Sequence, residues 1–94
     1  MASPVLESGD AYNLTATGNV GGAATNQTLL GFYVNSTTAG TLVLRRGGSG
    51  GTVICGTITP TIGYHRFPAN IPGGLHATIG GTLDVTFFVV NGQA

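Results

Sequence analysis

The groups in this chain with reactive chemistry are few: His65, His76, Cys55 and the carboxylates Glu7, Asp10 and Asp84. The two histidines, with Asp84 or Cys55, could in principle gather around a metal ion. No pair has the short ligand spacing that a zinc site uses, so strand histidines with a packed ring face and a backbone hydrogen bond are the expectation. Cys55 beside a histidine would sketch a nucleophile and base. No third residue orients the base and no oxyanion device is evident, so a small buried thiol is expected instead. Ser3, Ser8, Ser36 and Ser49 fall in arm or loop stretches, and none sits in a nucleophile elbow. The run Gly47–Gly51, GGSGG, lacks the Lys-Ser/Thr ending and the following helix of a phosphate loop. These residues point to no enzyme, no cofactor and no bound metal.

Recognition chemistry is the other possibility. The aromatics are Tyr12, Phe32, Tyr33, Tyr64, Phe67, Phe87 and Phe88, with no Trp. Phe32, Phe67 and Phe87 read as core, whereas Tyr33 and Tyr64 could be surface contacts. Arg45 and Arg46 are adjacent, so a strand would put one guanidinium on each face. They could pair with Glu7, Asp10 or Asp84, or serve an intersubunit contact, where Arg is enriched. A single Arg-Gly-Gly element on an uncharged chain is not an RNA-binding signature. The glycosylation triplets at Asn13, Asn26 and Asn35 are what chance supplies when Thr occupies 14 positions.

The elements that must position these side chains are strands. Ninety-four residues make one domain with a modest core. Thr82–Val90, TLDVTFFVV, is the organising stretch. Leu83, Val85, Phe87 and Val89 alternate with Thr82, Asp84, Thr86, Phe88 and Val90, which is the period of a half-buried strand. The second face turns apolar at Phe88 and Val90, so that end is expected to be covered on both sides. Further strands are read at Ala11–Thr17, Thr28–Val34 (Leu30, Phe32 and Val34 on one face), Thr41–Arg45, Thr52–Thr59, Ile62–Phe67 and Leu75–Ile79. Gly31 inside a strand marks a bulge or a close backbone approach. Asn35–Gly40 and Gly80-Gly81 read as turns, Pro68–Gly74 as a loop and Gly18–Gln27 as a mobile loop. No window has a helical period. About seven or eight short strands with Gly and Pro punctuation predict an all-β antiparallel sandwich or small barrel. Residues 1–27 are an N-terminal arm and flexible loop with one short strand, and residues 28–94 are the knob.

Composition narrows the partners. Charged residues are 6% of the chain, against about 25% in typical domains. There is no Lys, and the formal net charge is zero. Neither nucleic acid nor an anionic membrane is favoured. No stretch has the length of an apolar membrane span, and the opening residues do not resemble a secretory signal. One cysteine forms no intrachain disulfide, which suits a reducing cytoplasm. A chain with 41% apolar residues and so few charges is expected to cover part of its surface in a symmetric assembly.

From Thr38 to Val90 the chain resembles small virion proteins of tailed bacteriophages. The phrases that carry the likeness are TAGTLVLRRGG, GTITPTIGYHRFP and GLHATIGGTLDVTFFV. Similar chains are capsid decoration, or cement, proteins. The likeness implies a jelly-roll- or β-tulip-like knob that forms homotrimers at local threefold positions of the outer capsid surface. It also implies assembly in the host cytoplasm, stabilisation of the capsid, and an arm reaching onto the major capsid protein. Pro4, Val5, Leu6 and Glu7 are the arm residues expected at that contact. Arg45, Tyr64, Arg66, Phe88 and Val90 are the candidates for the subunit interface. The competing readings are a carbohydrate- or ligand-binding β-sandwich module and a tail, fibre or neck component.

Overall fold

Two strands are far longer than the sequence pattern suggests, and their bends create the architecture. The computed structural model describes residues 10–21 and 26–91. Its strands are β1 (Asp10–Leu14), β2 (Gly18–Asn19), β3 (Gln27–Arg46), β4 (Thr52–Ile58), β5 (Gly63–Ile71) and β6 (Leu75–Asn91). All pairings are antiparallel, and none of the described residues is helical. β3 and β6 pair along their whole length, from Gln27↔Asn91 to Arg46↔Leu75. A straight 20-residue strand would reach roughly 66 Å, yet the longest dimension of the molecule is 44 Å.

The difference is taken up by bulges. Between Thr38↔Thr82 and Thr41↔Gly80, β3 advances three residues while β6 advances two. Ala39 (φ +53°) and Gly81 (φ +67°) both adopt left-handed backbone at this point. A Cβ on Gly81 would lie 2.6 Å from the Ala39 carbonyl oxygen, so the two strands turn together without breaking their ladder. Gly80-Gly81 and Asn35–Gly40 are therefore bends inside continuous strands and not the turns that the sequence suggests. Turn residues supply positive φ, and a bend needs positive φ as much as a reversal does.

Each long strand contributes one half to each of two layers. Layer A is β1, the second half of β6, the first half of β3, and β5. Layer B is β2, the first half of β6, the second half of β3, and β4. Counted as halves, the two long strands and the four short ones make eight straight segments, the small antiparallel sandwich expected from the pattern. The inner faces share one core that includes Leu29, Phe32, Val34, Leu42, Leu44, Leu83, Val85 and Phe87. Phe32 and Phe87 are tilted against each other with ring centroids 5.8 Å apart.

At the end away from the bends, Gln27 links the layers. Its Nε2 donates to the Val20 carbonyl at 2.7 Å, and its Oε1 accepts from the Leu75 amide at 2.7 Å. Gln27 is 1% exposed, so these bonds satisfy polar groups that water does not reach.

Three local readings are corrected. Leu29, not Leu30, shares the core face with Phe32 and Val34, because a bulge between Leu29 and Gly31 reverses the alternation. β5 runs through Pro68 to Ile71 instead of ending in a loop. Among the described residues it is an edge strand bonded to β3 alone, where a missing N–H is tolerated. The stretch after Gly18 is not a loose loop throughout: β2 pairs with Ala77 and His76, and Val20 is fully buried in the core. Asp10–Leu14 likewise pairs with β6. The arm residues Pro4, Val5, Leu6 and Glu7 lie outside the described residues.

Candidate functional site

Among the described residues the reactive groups do not converge. His65 faces inward on β5, its ring 5.2 Å from that of Phe32, and its Nε2 donates to the Thr61 carbonyl at 2.7 Å. His76 lies on the opposite layer, where its Nδ1 donates to Asn19 Oδ1 at 2.9 Å. Its buried Nε2 has no hydrogen-bond partner among the described residues. Cys55 sits opposite Leu44 on β4 and is half-buried. Among the described residues no three His, Cys, Asp or Glu side chains gather where they could hold a metal.

What does converge is a row of side chains on the outer face of layer A. The register fixes it. Val85, Phe87 and Val89 point into the core, so Asp84, Thr86, Phe88 and Val90 point out. Across β6 from them lie Asn13 on β1, then Tyr33 and Gly31 on β3, then Tyr64 and Arg66 on β5. Tyr64 is 49% exposed and Tyr33 42%, the two being direct cross-strand partners.

Tyr64 does not stand free of the sheet. Its ring centroid is 6.1 Å from that of Phe88, at 57°. A Cβ on Gly31 would come within 2.5 Å of its hydroxyl. Gly31 therefore gives the tyrosine room to lie across β3, as aromatic side chains do beside strand glycines. Phe88, against which Tyr64 packs, and Val90 are half-buried. Four of the five interface candidates, Tyr64, Arg66, Phe88 and Val90, share this face. Arg45 does not: it pairs with His76 and Val53 on layer B. The two halves of β3 belong to different layers, a separation invisible in a residue string.

Toward the bends the same face becomes polar. Asn13 Nδ2 donates to Asp84 Oδ1 at 2.6 Å and to Thr86 Oγ1 at 3.2 Å. From the other side, Asn35 Nδ2 donates to Asp84 Oδ1 at 3.2 Å and to Thr86 Oγ1 at 2.9 Å. Asn35 reaches them because it is the extra residue of a bulge, where Val34↔Val85 is followed by Ser36↔Asp84. This network joins residues separated by 49 to 73 positions in the chain. Sequence reasoning missed it. The only signal was that Asp84 and Thr86 occupy the outward phase of the last strand.

The face thus has an apolar end, with Phe88 and Val90, and a polar-aromatic end, with Tyr33 and the Asn–Asp–Thr network. The apolar end lies beside Asp10, where β1 begins, because Asp10 pairs with Val89. Such a face can dock a partner by burying aromatic surface, with few charges to desolvate. No protein-family model matches the chain, and searches of curated proteins and of solved structures find no significant match.

Proposed function

We propose that this chain is a non-enzymatic structural protein of a tailed-phage virion. In this reading it decorates the outer capsid surface at local threefold positions, binds the major capsid protein and stabilises the shell. The sequence resemblance over residues 38–90 motivates the reading. The observation that carries it is the grouping of Phe88 and Val90, with Arg66, on one charge-poor sheet face at the end where β1 starts. A knob with that face would seat its apolar end against neighbouring subunits. Pro4, Val5, Leu6 and Glu7 are the residues proposed to contact the major capsid protein.

Trimer formation follows from the same surface in this proposal. Burying apolar area contributes about 25 cal/mol per Å², so a few hundred Å² per subunit offsets a large part of the cost of association. Arg45, on the far layer, is left out of that contact. The test is co-sedimentation with capsids that lack the protein. The wild-type chain should pellet with them, and Phe88→Asp should stay in the supernatant while keeping its fold. Equal pelleting of the two would contradict the proposed docking face.

A further inference from the structure

We propose that the polar-aromatic end of the layer A face, built from Tyr33, Tyr64, Asn13, Asn35, Asp84 and Thr86, is a binding site for a neutral saccharide. The inference goes beyond the decoration role and concerns the other end of the face. The bends lie opposite the end where β1 starts and β6 finishes. A knob seated by its Phe88–Val90 end therefore presents this end outward.

The chemistry of the row selects the ligand. Tyr64, Tyr33, Thr86 and Asn13 stand side by side on four neighbouring strands. At about 4.8 Å per strand the row spans roughly 14 Å, the length of a short oligosaccharide. Sugar rings have an apolar C–H face and a rim of hydroxyls. Two half-exposed tyrosine rings offer an apolar platform with polar tips. Beside them, the amides of Asn13 and Asn35 hold Asp84 and Thr86 in place from both sides. Asp84 Oδ1 is the acceptor in these bonds, and Oδ2 accepts none from the described residues. A carboxylate oriented by amides is a strong acceptor for sugar hydroxyls. It is held before any ligand arrives, so little ordering cost remains. One carboxylate and Arg66 are the charges that the register assigns to this face, which favours an uncharged ligand over a phosphate or polyanion.

The experiment is an NMR titration of the free, full-length protein with three neutral probes: maltoheptaose, cellohexaose and chitotetraose, each to about 10 mM, a range that detects weak binding. The expected result is saturable shifts with at least one probe, centred on Tyr33, Asn35 and Thr86. Tyr33→Ala and Asn35→Ala should each weaken binding about tenfold or more, while Tyr33→Phe retains it. Val53→Thr, on the other layer, should leave it unchanged. Asp84→Asn gives a third reading if either alanine variant loses its fold. The absence of saturable shifts with all three probes would overturn the proposal, as would shifts indifferent to these substitutions. It would also be overturned if Tyr33→Ala dissociated an oligomer, since a second copy would then be the occupant. Capsid co-sedimentation is scored separately, so the decoration reading can fail without this one.

Discussion

Gly81 is the position where the fold makes its sharpest demand on a single residue. It holds φ at +67°, and a Cβ there would sit 2.6 Å from the backbone oxygen of Ala39. Gly81→Ala incurs two costs. Left-handed backbone costs an L-residue about 1–2 kcal/mol. Relieving a contact with backbone requires the paired strands to separate, which adds about 1–3 kcal/mol on the scale of overpacked sites. The sum is about 3 kcal/mol. A 94-residue domain has about 5–14 kcal/mol of stability in total, so the melting temperature should fall by about 12–24 °C. Gly81→Asn separates the terms: Asn tolerates the left-handed region but carries the same Cβ, so it should fall between parent and Ala. Gly56→Ala is the control, because a Cβ there meets nothing within 4 Å, and it should be neutral or stabilising by about 0.5 kcal/mol. Thermal melts by circular dichroism read all three. If Gly81→Ala melts within about 2 °C of the parent, the folding of β3 and β6 through a shared bend is wrong.

Other perturbations address the core and the assembly. Phe87 is fully buried against Phe32, so Phe87→Ala should cost about 3–5 kcal/mol, measured by urea unfolding. Gln27→Ala leaves the Val20 carbonyl and the Leu75 amide without the bonds that join the layers. It should lower stability by about 2–4 kcal/mol at unchanged denaturant dependence, and a change below about 0.5 kcal/mol would contradict the linking role. Sedimentation equilibrium at micromolar concentration should give three times the 9.4 kDa protomer mass; a monomer with no concentration dependence would rule out the trimer.

The strand pattern was legible where a single segment decides it. Leu83, Val85, Phe87 and Val89 alternate strictly, and all four are core. Gly31 reads as a bulge or close approach, and it is both: the register shifts beside it, and Tyr64 lies over it. Legibility failed where two segments decide together. The left-handed Ala39 and Gly81 serve one bend shared by two paired strands, yet each looks like a turn in isolation. Pro68 stops a central strand but not an edge strand, and edge status is a property of the whole sheet. The candidate face is similar. Alternation predicts which residues point outward, but only register brings Asn13 and Asn35 to Asp84, 71 and 49 positions away. The same register separates Arg45 from Tyr64.

The central claim is that this chain is a capsid decoration protein, and its position in an intact virion tests that most directly. A cryo-electron microscopy map of the proposed phage particle, compared with a map of particles lacking the chain, would show the difference. The account predicts added density of three knobs around each local threefold position on the outer capsid surface, with the Phe88–Val90 end toward the shell. Difference density confined to the tail, fibre or neck, or none on the particle at all, would contradict it.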